Sequence, residues 1–192
     1  EVMTGFGRTG KMFAVDHFDF EPDMMTFAKG VTSGYAPLGG VIVNEKVANV
    51  IDEMVLLTGL TYSGHTMCTQ IGSATLDLYK EEKLIENAEE MGSVLAERLN
   101  QLVSFKSVGE VRHIGLFAAV ELVKDKETKE PIVTYGTEYG KDPVGLMRQM
   151  ISLLAANGFY TYAHDSIIII APPLVITKQQ IHEAMDIFEQ TL

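Results

Sequence analysis

The sequence predicts an α/β protein in two parts, with a boundary near residue 100. Three observations carry that prediction. Short apolar runs at 25–28 and 40–43 alternate with glycine-rich loops, the rhythm of a layer in which ligand-binding loops follow strands. A long helical pattern fills 64–101, and the remainder mixes strand-like and helical stretches as a smaller α+β unit.

Within the first part, a short helix begins near Asn44. Ile71, Ala74 and Leu78, then Leu84, Ala88, Met91, Leu95 and Leu99, recur at helical spacing with charges on the other face. The run Lys80-Glu81-Glu82-Lys83 breaks this pattern into two helices. In the second part, 108–112 and 115–122 read as two strands. Residues 124–141 are polar and turn-rich, and Asp142-Pro143 starts a helix in N-cap then N1 order. Asn157-Gly158 ends it. The β-branched run Ile167–Ile170 is a strand stopped by Pro172-Pro173, and Thr177 caps a last helix reaching Phe188.

At 192 residues the chain can hold one good core or two small ones. Hydrophobic residues at 46% against 21% charged describe a globular protein rather than a disordered one. A net charge of −11 without a basic run repels phosphate backbones, which argues against nucleic acid as a partner. Cys68 is the single cysteine, so no intrachain disulfide forms, and a reducing, cytoplasmic setting is expected. No apolar run approaches the roughly 20 residues that span a bilayer. There is no signal-peptide pattern and no initiator Met, and the chain is expected to be a fragment.

Residues 26–40, Thr-Phe-Ala-Lys-Gly-Val-Thr-Ser-Gly-Tyr-Ala-Pro-Leu-Gly-Gly, place one lysine between an apolar run and a segment with four glycines and a proline. Lys29 is expected at the end of a buried strand, at the mouth of a loop whose glycines let a ligand approach the backbone. A partly desolvated amine there could form an imine with an aldehyde. The plainer reading is an exposed lysine that ends a strand. Thr61-Tyr62-Ser63-Gly64-His65 clusters hydroxyls and a glycine just before a long helix, which suits either an anion cradle or an ordinary N-cap. The glycines of Thr4-Gly5-Phe6-Gly7-Arg8-Thr9-Gly10 lack the dinucleotide register and follow no adequate strand. His17 and His182 lack metal-ligand spacing, and 81–90 reads as a solvated helix face.

Taken together, Glu-Val-Met-Thr-Gly-Phe-Gly-Arg-Thr-Gly at 1–10, the Lys29 segment, Thr-Tyr-Ser-Gly-His at 61–65 and Ala171-Pro172-Pro173-Leu174 resemble the class III aminotransferases. The four motifs stand in that family's order. The resemblance implies the C-terminal half of a fold-type I transferase dependent on pyridoxal 5'-phosphate. It implies a partial cofactor-binding domain over 1–100 and a small α+β domain over 101–192. Lys29 matches the lysine that holds the cofactor as a Schiff base and then moves protons. Thr61 matches the threonine that binds the cofactor phosphate across a homodimer interface, and Val2 the apolar residue against the pyridine ring. Many members carry glutamine where Met3 stands.

Two departures follow. The family's aspartate on the pyridinium nitrogen would fall one residue before Glu1, and the ring-stacking aromatic and a further phosphate-binding turn would lie upstream as well. Members using keto acids often carry an arginine shortly before the Pro-Pro. Residues 160–165 read Tyr-Thr-Tyr-Ala-His-Asp instead, leaving His164 as a weak substitute. Arg112 is expected to be structural.

The expected activity is amino transfer from an amine or ω-amino acid to a 2-oxo acid such as pyruvate. The alternatives are a glutamate-1-semialdehyde aminomutase or racemase on the same scaffold, or an inactive truncated interaction module. A homodimer sharing its site, small-molecule substrates and no membrane or nucleic-acid partner complete the expectation.

Overall fold

The first two apolar runs form strands β1, Met24–Phe27, and β2, Gly40–Val43, paired antiparallel with Met24 opposite Val43 and Phe27 opposite Gly40. Gly40 lacks a side chain for a reason. A Cβ there would stand 2.5 Å from the Phe27 ring, which lies across it. Asn44 then caps helix α1, Glu45–Asp52, accepting from the Val47 N–H at 3.1 Å.

The computed structural model describes residues 1–133 and 145–192. The expected turns over 134–141 and the helix start at Asp142-Pro143 lie outside the described residues. The chain divides into two compact units, Glu1–Glu86 and Asn87–Leu192.

The strand before Lys29 is not buried, contrary to expectation. Its residues alternate between exposed and half-buried, and among the described residues the sheet of the first unit has two strands only. A strand becomes a buried one when both of its faces are covered. Helix α2, Thr66–Glu81, brings a second correction. Its buried side is Cys68, Gly72, Thr75 and Tyr79, while Ala74 and Leu78 of the expected apolar face are exposed. Close approach selected that side: a Cβ on Gly72 would meet Leu38 at 2.9 Å and the Val31 carbonyl at 3.6 Å.

Helix α3, Leu84–Leu102, follows the break at Lys83, whose φ is 51°. Here the periodicity reads correctly, since Ala88, Met91, Leu95 and Leu99 are all buried. Strands β3, Val108–Ile114, and β4, Phe117–Asp125, form a hairpin in which Ile114 pairs with Phe117. Gly115 and Leu116, expected inside the second strand, make the turn between them. The turn sits close against α3, which explains Gly92: a Cβ there would stand 2.7 Å from the Cα of Gly115, itself at φ 54°.

The short strand β5, Glu130–Pro131, pairs with β4. Helix α4, Leu146–Ala156, ends at Asn157-Gly158 as expected, with Gly158 at φ 90°. Strands β6, Tyr162–His164, and β7, Ile167–Ile170, complete an antiparallel sheet ordered β3-β4-β7-β6. Thr177 caps α5, Lys178–Thr191, in a capping box with Gln180, and the helix runs three residues past the expected Phe188.

One core holds this unit together. Leu95 and Leu99 of α3, Leu154 of α4 and Phe188 of α5 join Val120 and Ile168 of the sheet, all almost completely buried. Arg98 ties α3 to α5, with Nη2 2.7 Å from Asp186 and 2.8 Å from Glu189. No helix among the described residues is long and apolar enough to cross a membrane.

Candidate active site

Lys29 opens a 3-10 turn, Lys29–Val31, directly after β1, and it is exposed. Its φ is 46°, in the left-handed region where a side chain crowds the backbone, at a cost of roughly 1–2 kcal/mol. The neighbouring groups hold it there. The amides of Val31 and Thr32 donate to the carbonyls of Ala28 and Lys29 at 3.3 and 3.2 Å, and Ser33 donates to Gly30 at 3.2 Å. The Thr32 hydroxyl, itself buried, donates to the Ala36 carbonyl at 2.6 Å.

From α2, the Tyr79 hydroxyl donates to the Gly30 carbonyl at 3.0 Å. Gly30 must be glycine here, because a Cβ would stand 2.8 Å from Cβ of Phe6. Phe6 is buried under edge-on contacts with Phe13 (5.3 Å between centroids) and Phe27 (5.9 Å). The motif at 4–10 is therefore a plug beneath the lysine turn. Its own turns use Phe6, Gly7 and Gly10 at φ 60°, 90° and 82°.

Burial raises the Tyr79 hydroxyl above its usual range, with Arg8 nearby opposing that shift, so the group remains a donor at neutral pH. Burial lowers Arg8, and Tyr79 counteracts it. Sequence reasoning missed Phe6 and Tyr79. The signal for Phe6 was Gly30 itself, a glycine immediately after the lysine that implied something pressed against it.

Thr61 lies exposed in the turn over 61–64, just ahead of α2. His65, the N-cap residue, makes no side-chain capping bond, and Gly64 has φ 65° with open space around it. The first N–H groups of α2 thus lack a side-chain cap, as an anion site would use them. Thr61 precedes the N-terminus of α2, while Tyr79, the anchor of the lysine turn, lies near its C-terminus. Roughly 20 Å of helix axis separates Thr66 from Tyr79 at 1.5 Å per residue. Val2 is exposed in a turn closed by the Gly5 N–H on the Glu1 carbonyl at 3.0 Å and by the Thr4 hydroxyl on the Glu1 carboxylate.

The second unit contains the Pro-Pro motif. Pro172 and Pro173 line an apolar cleft of about 500 Å³ with Phe159, Tyr162, Ile169 and Met185. Asn87 secures the chain beyond it, donating to the carbonyls of Leu174 and Ile176 at 2.6 and 3.2 Å. His164 points its ring at Asp165, 3.3 Å away, and stays largely exposed. Arg112 is engaged by Glu110 and Glu121, each at 3.0 Å on the surface. No group of metal-ligating side chains forms among the described residues.

The family model for aminotransferase class-III matches residues 1–192. The chain belongs to the class III aminotransferases. They are enzymes that use pyridoxal phosphate, and the mixed α/β architecture is that of their fold-type I structures. Among solved structures, taurine:2-oxoglutarate aminotransferase from Bifidobacterium kashiwanohense, in complex with pyridoxal phosphate and glutamate, is 44% identical with a TM-score of 0.93. That match covers 100% of this chain and 42% of the other. An (S)-enantioselective omega-transaminase from Thermomicrobium roseum is 35% identical, with a TM-score of 0.90, over 100% of this chain and 41% of its own. Among curated relatives, putrescine–pyruvate aminotransferase from Pseudomonas aeruginosa is 37% identical over 100% of this chain and 41% of its own length. The chain thus spans about two fifths of the relatives it matches.

Proposed function

We propose that this chain is the C-terminal part of a class III aminotransferase that moves an amino group from an amine or ω-amino acid to a 2-oxo acid such as pyruvate. The observation that carries the proposal is Lys29, an exposed amine on a left-handed turn that four separate contacts hold at the end of β1. The named activities of the relatives support the substrate class, since putrescine and taurine both bear a terminal amine.

The residues fit the cofactor. Lys29 would bind its aldehyde carbon, Thr61 its phosphate and Val2 one face of its ring. Pyridoxal phosphate, when bound, supplies an aldehyde for the amine and an electron sink for the substrate carbon. With the cofactor bound, Lys29 Nζ would hold it and, once released by the incoming amine, would serve as the base that takes the proton from the substrate carbon. Thr61, at the far end of α2 from the lysine's anchor, suits the phosphate of a second subunit in a homodimer. The proposed domains are a partial cofactor-binding domain and a small α+β domain of a cytoplasmic enzyme; the sequence puts their boundary at 100/101, whereas Leu95 and Leu99 pack into the core of the Asn87–Leu192 unit, which moves that boundary to the start of α3.

The test is spectroscopic. The protein loaded with pyridoxal phosphate should show a visible band that Lys29→Ala removes, and borohydride reduction should fix the cofactor to the peptide containing Lys29. A band that survives in the variant overturns the assignment. Amino transfer from putrescine that requires added pyruvate supports the substrate class, whereas isomerisation of an amino aldehyde without any added 2-oxo acid points to an intramolecular mutase.

A further inference from the structure

We infer that Tyr79 is a positioning residue for Lys29: its hydroxyl, on the Gly30 carbonyl, holds the left-handed turn that fixes the direction in which the lysine amine leaves β1. The inference rests on the reading of Lys29 as the cofactor lysine. Its basis is the strained backbone. A lysine at φ 46° relaxes toward the right-handed region unless the turn that follows it is held. The peptide joining Gly30 to Val31 carries the carbonyl that Tyr79 grips at 3.0 Å. Rotating the turn out of its conformation swings that carbonyl away from the hydroxyl.

Two of the other constraints act on different atoms. The Phe6 ring occupies the side of Gly30 where a Cβ would be, and the Thr32 hydroxyl holds Ala36 farther along. Within the turn, the Ser33 N–H shares the Gly30 carbonyl with Tyr79, so this one oxygen accepts both the local bond and the bond from α2. The link is long in sequence, 49 residues, and Tyr79 is buried on the side of α2 that faces the turn. Tyr79 works through the backbone, at the Gly30 carbonyl.

Tyr79→Phe removes the hydroxyl and keeps the ring. In the cofactor-free chain, amide exchange at Thr32 and Ser33, the donors of the turn, should speed up about tenfold, the effect of one lost hydrogen bond. The amides of Leu95 and Leu99 in α3 should be unchanged. In the protein loaded with pyridoxal phosphate, the visible band should persist but respond to added putrescine several-fold more slowly. Unchanged exchange at Thr32 and Ser33, or an unchanged response of the band, overturns the inference. Lys29→Ala separates the two failures. If that variant keeps the band, the lysine reading itself is wrong and the role of Tyr79 falls with it. If it loses the band while Tyr79→Phe behaves as wild type, only the positioning role is lost.

Discussion

The two units of this chain handle apolar surface in opposite ways. In Asn87–Leu192, three helices and five strands among the described residues close on one core, and Leu99, Leu154, Ile168 and Phe188 lose all contact with water. In Glu1–Glu86, the buried apolar residues are few, and Val41, Leu57, Leu60, Tyr62 and Met67 stand largely exposed. The unit with the complete core carries the Pro-Pro cleft, and the unit with the open surface carries Lys29 and Thr61. The proposed chemistry thus falls in the part that leaves more apolar surface exposed. What order the first unit has is concentrated under the lysine, in Phe6, Val31, Thr32 and Tyr79.

The largest expected effect tests the closed core. Leu99→Ala should cost about 2–5 kcal/mol, because a fully buried leucine in a dense core leaves a cavity that its neighbours fill poorly. Denaturant unfolding followed by amide exchange should place the loss in α3, α5 and β4, with the Thr32 amide of the first unit unaffected. An equal loss of protection at Thr32 would show one cooperative unit and end the contrast.

A smaller effect sharpens the other side. If the left-handed turn at Lys29 is strained, Lys29→Gly should be more stable than Lys29→Ala by about 1 kcal/mol, since glycine adopts positive φ freely. Urea midpoints of the two variants, read from the exchange of Thr32, decide this. Equal midpoints would mean that the turn carries no strain.

Legibility in the sequence divides along the same line. In the second unit, α3 and β7 were readable because periodicity reports burial when a helix or strand packs within its own chain. Both the α5 cap and the Asn157-Gly158 stop were readable from local backbone chemistry. In the first unit the same rule misled. Leu78 and Ala74 mark an apolar stripe on α2, yet the side that packs within the chain is Cys68, Gly72, Thr75 and Tyr79, chosen by the room that Gly72 leaves for Leu38. Of the candidate site, Lys29 was legible from its flanking glycines and the family resemblance. Its anchors were not, because Phe6 and Tyr79 reach Gly30, the next residue, from 24 and 49 positions away, and no local pattern encodes a contact of that kind.

The smallest expected effect concerns alkaline pH. The Tyr79 hydroxyl has its pKa raised above its ordinary value of 10.0 by burial, with Arg8 pulling the other way. In the unfolded chain the hydroxyl loses its proton at its ordinary value, while in the fold it keeps it longer. Its contribution to stability is therefore complete below pH 10 and is lost as pH rises through the raised value. Tyr79→Phe has no proton to lose. Urea midpoints measured at successive pH values from 8 upward should fall more steeply for the wild type than for the variant once pH passes 10, and the two curves should run parallel below it. The exposed Tyr35 and Tyr62 are common to both proteins and cancel in the difference. Because ionisation would also remove the donor from the Gly30 carbonyl, the Thr32 and Ser33 amides of wild type should lose protection over that same pH interval, beyond the ordinary base-catalysed increase seen in the variant. Curves that stay parallel above pH 10 would mean that Tyr79 is solvated in the folded chain, and the order under the lysine would then rest on Phe6 and Thr32 alone.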